Sequence, residues 1–268
     1  MSTTAEAKAL DAGLALVVPG RREAAGAGWT WVVQGWRLFM AAPLMWVIAV
    51  VIMFVLAIVV NILPFVGSLI FQVLQAVFMG GFVAACRSLE TGGEFELEQL
   101  FAGFSKRFVP LAIVGGLLLV GWIIIALVFA GVVGFSMLGA FMTGDPAAVA
   151  ESMAASIGLI LLATLLMLAL MVPLLAAYWF APALVMIHDM KPAAAMKESF
   201  FACFRNFVPF AVYGLVMFVT LIIAMVPFGL GLLVWVPLAI TSTYAAYRRI
   251  FTDEAAVAPV AVPPSMAG

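Results

Sequence analysis

The polar side chains that could support chemistry are few and widely spaced in this sequence. Asn61, Gln72, Gln75 and Tyr213 lie inside long stretches without Asp, Glu, Lys or Arg. A helix would place Gln72 and Gln75 on one face, because they are three residues apart. Such amides either line a polar pathway or hydrogen-bond to neighbouring helices. The four residues are therefore candidates for a pathway, with interhelical hydrogen bonding as the alternative.

Acid–base and metal chemistry have weaker candidates. His188 is the only histidine and stands beside Asp189. One histidine with one carboxylate is too few for a zinc site or a catalytic triad, so a helix cap is the simpler interpretation. Glu94, Glu96 and Glu98 alternate with apolar residues, which indicates a solvated helix start. There is no phosphate-binding glycine loop and no His-Glu-x-x-His motif. The sequence therefore predicts no catalytic residue, metal or cofactor.

Composition points to lipid as the solvent of this chain. Of 268 residues, 67% are hydrophobic and 9% are charged, whereas globular domains are about one quarter charged. The net charge of −1 gives no field that would attract nucleic acid, so we predict no nucleic-acid partner. Cys86 and Cys203 are expected to be reduced and to act as small apolar residues. The predicted class is an all-α, polytopic transmembrane helical bundle.

The uncharged stretches set the number of spans. They cover residues 38–86, 108–144, 152–188 and 206–247, and one span needs about 20 apolar residues. The first and last stretches are long enough for two spans each, and the two between them for one each, which predicts six. The predicted spans are 43–63, 65–86, 110–138, 157–185, 209–226 and 231–247, with kinks expected at Pro173 and Pro182.

The distribution of charge predicts the orientation. With six spans, all twelve Lys and Arg residues fall on one side of the membrane. The opposite side carries only Asp145 and Glu151. Because basic residues are concentrated in cytoplasmic segments, both termini are expected in the cytoplasm.

A hairpin of two spans is repeated three times. Each hairpin follows an amphipathic stretch that ends in a basic residue, an aromatic residue and a proline. Apolar residues spaced by three and four positions form one stripe on each stretch, which predicts helices lying in the cytoplasmic interface. The alternative is that these stretches only begin the spans and carry interfacial aromatic residues. The predicted domains are a disordered segment 1–27, a membrane domain 28–252 (hairpins 28–92, 93–192 and 193–252) and a disordered tail 253–268.

Three motifs resemble a family of uncharacterised proteobacterial integral membrane proteins. The first is Gly28-Trp29-x-Trp31-x-x-Gln34-Gly35-Trp36-x-Leu38-Phe39-x-x-x-Pro43, at the start of the membrane domain. Leu100-Phe101-Ala-Gly103-Phe104 and Ser199-Phe200-x-Ala202-Cys203-x-Arg205-Asn206 follow later. The resemblance covers residues 28–250 and implies six spans in a bacterial inner membrane. It implies no activity, so no functional residue is transferred.

These features favour a non-enzymatic scaffold that binds lipid headgroups or a protein partner at its cytoplasmic face. The alternative is a small-molecule or lipid transporter with a pathway along a pseudo-threefold axis between the hairpins. A cavity that reaches mid-membrane and includes at least one of these four polar residues would favour transport, and a solid apolar core along the axis would count against it. The candidate headgroup rim, whose basic residues could equally serve topology alone, comprises Arg37, Arg87, Lys106, Arg107, Lys197, Arg205, Arg248 and Arg249.

Overall fold

The computed structural model describes residues 15–143 and 146–253, with only the backbone of residues 135–137, 139–141, 143 and 146–157. Every regular element in this part of the chain is a helix, which confirms the all-α class. The helices are α1 (Ala27–Ala41), α2 (Pro43–Val60), α3 (Val66–Glu90), a short 3-10 helix (Leu97–Phe101), α4 (Ala102–Lys106), α5 (Phe108–Thr143), α6 (Pro146–Trp179), α7 (Ala181–His188), α8 (Pro192–Arg205), α9 (Phe207–Met225) and α10 (Leu232–Phe251).

Five segments of the described chain are long and apolar enough to cross a membrane. They correspond to the first five predicted spans, so the chain is a polytopic membrane protein. The predicted sixth span corresponds to α10, which is not among the five because Arg248, Arg249 and several hydroxyl side chains lower its hydropathy. The five are Pro43–Val60, Val66–Glu90, Phe108–Gly134, Gly158–His188 and Phe207–Met225.

Prolines separate each amphipathic segment from the helix that follows it. The backbone leaves the helical region at Ala42, Arg107 and Asn206, where φ is −151°, −143° and −109°. A proline follows within three residues each time, and its ring nitrogen cannot donate to the carbonyl four residues earlier. The three sequence repeats therefore share one structural feature, which is a break between the amphipathic helix and the helix that follows it.

The predicted fourth span is also broken. Helix α6 ends at Trp179 and α7 begins at Ala181, because Pro182 removes the donor that would continue α6. Pro173 lies inside α6 without ending it. At the expected kink the helix is interrupted at Phe180 alone, whose backbone stays in the right-handed helical region with φ of −104°.

Helix α1 packs closely against α9 and α10 through glycines. A Cβ atom on Gly28 would meet the carbonyl oxygen of Pro209, and one on Gly35 would lie 2.5 Å from the backbone nitrogen of Ser242. Trp31, between the two glycines, is completely buried. Only glycine permits this close approach of backbones.

The opposite face of α1 carries the stripe predicted from the sequence. Trp29 and Trp36 are 58% and 44% exposed, whereas Trp31 and Leu38 lie in the core. The helix thus has one apolar face against the protein and a second that no described residue covers. This second face fits the sequence prediction of a helix at a membrane surface.

Each of the other two amphipathic segments also packs against a helix that precedes it in the chain. In α4, Gly103 lies against the carbonyl oxygen of Val77 in α3. In α8, the Ser199 hydroxyl donates to the Ala176 carbonyl at 2.6 Å and accepts from the Phe180 amide at 2.9 Å. The packing order is therefore α1 on α10, α4 on α3 and α8 on α6.

The buried core is concentrated at one end of the bundle, which we call the basic end because most of the described lysines and arginines lie there. In α3 burial is nearly continuous from Ala76 to Leu89, and in α10 it runs through the second half of the helix. Toward the other end, side chains such as Phe54 and Leu127 are exposed. We call this the outer end, and its apolar surface is suited to lipid contact.

We expect Gly35→Ala to destabilise the protein by about 1–3 kcal/mol, because the added methyl group overlaps the backbone of α10. The matched control is Gly214→Ala, whose Cβ would meet nothing within 4 Å and which should stabilise α9 by about 0.5–1 kcal/mol. Thermal unfolding in detergent micelles measures both. Equal midpoints for the two variants would contradict the close packing of α1.

Candidate functional site

A buried carboxylate joins two helices at the basic end. The Glu90 carboxylate accepts hydrogen bonds from Tyr244 Oη at 2.7 Å, Arg248 Nε at 2.8 Å and Arg87 Nη1 at 3.1 Å. The side chains of Glu90, Arg87 and Arg248 are only 11%, 7% and 3% exposed. We call these four residues the Glu90 cluster. It fixes the last turn of α3 against α10.

Further polar contacts extend this layer to α7 and α5. Tyr247 Oη lies 2.7 Å from His188 Nε2, and Arg107 forms an ion pair with Asp189 at 2.8 Å. Asp189 occupies the C-cap of α7 with φ of 52°, a left-handed conformation that aspartate tolerates better than most residues. The histidine and aspartate that the sequence predicts as a cap therefore connect α7 to two other helices.

The segment 15–26 packs against the end of α10. The Val17 amide donates to the Phe251 carbonyl at 2.8 Å, and the Arg249 guanidinium pairs with Glu23 at 2.8 Å. These contacts hold the two ends of the described chain together. The predicted disordered segment 1–27 overlaps this packed region, and its first 14 residues lie outside the described residues. Of the predicted tail 253–268, only Asp253 is described.

Asn206 connects the same segment to the start of α9. The side chain is 1% exposed. Its carbonyl oxygen accepts from the Glu23 amide at 2.7 Å, and its amide group donates to the carbonyls of Arg21 and Ala202, both at 2.9 Å. Arg205 donates to the Gly20 carbonyl at 2.7 Å. The break between α8 and α9 is thus part of the polar layer.

The predicted rim divides into engaged and exposed residues. Arg87 and Arg248 belong to the Glu90 cluster, while Arg107, Arg205 and Arg249 are half-buried and bonded as described above. The other three are exposed, and none makes an ion pair with a described residue. They lie one on each amphipathic helix: Arg37 on α1, Lys106 on α4 and Lys197 on α8.

Exposed aromatic rings accompany these three cations. Trp36 directly precedes Arg37 in α1, and Trp29 lies about two helical turns before it. Aromatic rings beside polar or charged side chains are typical of the membrane interface, where part of the ring contacts lipid and part contacts the polar headgroups. The same combination occurs on the other two segments, with Phe101 and Phe108 near Lys106 and with Phe201 and Phe204 near Lys197.

The four candidate pathway residues do not form one site. Asn61 is exposed in the turn after α2 and donates to the Ala57 carbonyl at 2.8 Å. Tyr213 is buried, and its hydroxyl lies 3.0 Å from Ser242 Oγ. The remaining two, Gln72 and Gln75, share one face of α3, half-buried and exposed respectively.

The cysteines occupy packed positions. Cys86 is buried, and Cys203 is half-buried with its thiol 3.5 Å from the Ala176 carbonyl. Burial raises the pKa of Cys203 to about 12, so its thiol stays neutral at physiological pH. Both positions agree with the prediction of small, unreactive residues.

Sequence reasoning missed the acceptors of the basic end. Glu90 and Asn206 each bind residues more than 150 positions away along the chain, and no local pattern predicts such pairs. One sequence signal could have identified Glu90: it is a carboxylate three residues after Arg87 at the end of a predicted span. A charge at such a position needs a partner.

One curated protein is similar over nearly the whole chain. A probable inner membrane protein of Burkholderia thailandensis is 30% identical over 257 residues, which cover 87% of this chain and 93% of the relative. This similarity confirms the resemblance to bacterial membrane proteins that the motifs suggested. No protein-family model and no solved structure matches the chain.

We expect Glu90→Gln to cost about 3–5 kcal/mol, because the buried arginines lose their countercharge. Glu98→Gln is the matched control, since Glu98 is exposed and its replacement should change stability by no more than about 0.5 kcal/mol. Thermal midpoints in detergent micelles distinguish the two. A Glu90 variant as stable as the control would exclude a structural role for the cluster.

Proposed function

The chain belongs to the family of the Burkholderia thailandensis probable inner membrane protein, and we propose that it crosses a bacterial inner membrane six times. In this arrangement the basic end and both termini face the cytoplasm. Helix α10 is the sixth span, and its 20 residues are sufficient for the hydrocarbon core. Its polar inner half is accommodated by packing against α1 and α3.

Contacts between the two ends of each proposed hairpin support an even number of crossings. In the first, Trp46 near the start of α2 packs on Phe95 beyond α3, with ring centroids 4.7 Å apart. In the second, Arg107 before α5 pairs with Asp189 after α7. The third has Glu23 bonded to both the start of α9 and the end of α10. Each hairpin therefore returns to the side from which it starts.

The packing order of the amphipathic segments supports three tandem hairpins. Each segment lies on the returning helix of the preceding hairpin, and the first lies on that of the last. This order closes a ring. It is the arrangement expected of parallel repeats around an axis along the membrane normal.

At the cytoplasmic end we propose a non-enzymatic scaffold that binds anionic lipid headgroups. The observation that carries this proposal is the set of three exposed cations, each beside exposed aromatic rings, on α1, α4 and α8. The rings would lie at the level of the headgroups. The cations would then contact phosphate oxygens, which Arg and Lys bind through charge-assisted hydrogen bonds.

Burial limits which basic residues can take part. A cation near an anionic surface contributes about 1 kcal/mol, but Arg87 and Arg248 are already committed to Glu90. The three exposed cations occupy separate segments, so they provide separate headgroup contacts. An acidic protein partner would bind the same cations, and a measurement of retained lipid distinguishes such a partner from anionic headgroups.

We expect replacement of Arg37, Lys106 and Lys197 by glutamine to reduce retained phosphatidylglycerol. Each lost charge should weaken the contact about fivefold, equivalent to about 1 kcal/mol. The measurement is native mass spectrometry of the protein released from nanodiscs that contain equal amounts of phosphatidylglycerol and phosphatidylethanolamine.

The matched control keeps each positive charge but replaces one basic residue type by the other, with Arg37→Lys, Lys106→Arg and Lys197→Arg. It should retain phosphatidylglycerol as the unmodified protein does. If the glutamine variant also does so, headgroup binding by these residues is excluded, and an acidic protein partner becomes the remaining use of the same face.

A further inference from the structure

One face of α3 runs from the Glu90 cluster to two amides near mid-membrane. At about 100° per residue, Gln72, Gln75, Met79, Cys86 and Glu90 fall within an arc of about 60°. At the basic end this face is closed, because Glu90 binds Tyr244 and Arg248 of α10. At the basic end, this face of α3 therefore packs against α10.

The opposite face of α3 belongs to a different neighbour. The Val73 carbonyl lies against Gly115 of α5, and the Val77 carbonyl lies against Gly103 of α4. Both residues are about 160° around the helix from Gln75. The amides are thus directed away from α5.

At the level of the amides α10 no longer covers this face. Gln75 precedes Glu90 by 15 residues, and α10 begins at Leu232, 16 residues before Arg248, so both lie roughly 22–24 Å from the cluster along their helix axes. There Trp235 Nε1 donates to the Met217 carbonyl of α9 at 3.0 Å, which holds the start of α10 to α9. Gln75 is exposed, Gln72 is half-buried, and neither forms a hydrogen bond with a described residue.

From this geometry we propose a hydrated cleft between α3 and α10 that opens toward the outer end and binds small uncharged solutes. An amide facing hydrocarbon without a partner is unfavourable, whereas water or a hydroxyl-bearing solute satisfies both its donor and its acceptor. No Asp, Glu, Lys, Arg or His lies on this face of α3 between Gln72 and Glu90, so the cleft offers an ion no countercharge.

The Glu90 cluster closes the cleft toward the basic end. Its three charged side chains are buried and bonded to one another, so a solute that reaches the amides meets a barrier before the cytoplasm. The cleft is therefore open only toward the outer end. This inference rests on the proposed orientation of the outer end toward the outside of the cell but not on headgroup binding, which concerns other residues at the basic end.

Thiol reactivity in intact cells tests the cleft. The full chain carries Cys86→Ala and Cys203→Ala and then either Gln75→Cys or the control Ile70→Cys. Ile70 is 45% exposed on another face of α3 and is nearer to the outer end. Each variant is treated from outside with methanethiosulfonates that carry a neutral hydroxyethyl, an anionic sulfonatoethyl or a cationic trimethylammonioethyl group.

A thiol reacts as the thiolate, which forms in water and not in hydrocarbon. The hydroxyethyl reagent should modify Gln75→Cys at least tenfold faster than it modifies Ile70→Cys, and tenfold faster than either charged reagent does. Equal rates at the two positions would overturn the cleft. Charged reagents as fast as the neutral one would overturn its preference for uncharged solutes. If Gln75→Cys does not fold, Gln72→Cys takes its place with the same expected order of rates.

Discussion

A charge cannot remain unpaired in hydrocarbon, and this constraint organises the molecule. The long uncharged helices occupy lipid, and most of the described charged side chains lie at the basic end, where several of them form ion pairs. Glu90 is the centre of that arrangement, since it binds Arg87 on its own helix and Arg248 from the far end of the chain. Breaking such a buried pair costs more than forming it gains, so the contact specifies which helix ends meet.

The same constraint divides the basic residues by role. Those within the packed layer, such as Arg248 and Arg107, neutralise carboxylates and join helix ends that are distant along the chain. Those on the outer faces of the amphipathic helices, Arg37, Lys106 and Lys197, have no carboxylate among the described residues and are available to lipid. Toward the outer end side chains such as Phe54 and Leu127 are exposed, and the amide of Gln75 forms no hydrogen bond with a described residue.

The sequence alone predicted the parts that depend on local chemistry. Prolines such as Pro43 and Pro110 marked helix breaks because a missing amide donor acts within four residues. Contacts over long distances along the chain were not predictable: the pairing of Glu90 with α10 joins positions 158 residues apart. The burial of Trp31 was missed for a related reason. Helix α1 has two apolar faces, and its sequence pattern does not indicate which of them packs against α10. The span of α10 was inferred only from charge distribution.

The central claim is that all basic segments lie on one side of the membrane. Single cysteines at Arg22, Lys106 and Lys197, all exposed, test it in a chain without its two native cysteines. A membrane-impermeant maleimide added to intact cells should leave all three unlabelled and should label all three once the membrane is permeabilised. Labelling of any one of them from outside, while another stays protected, would contradict the even number of crossings and the arrangement built on it.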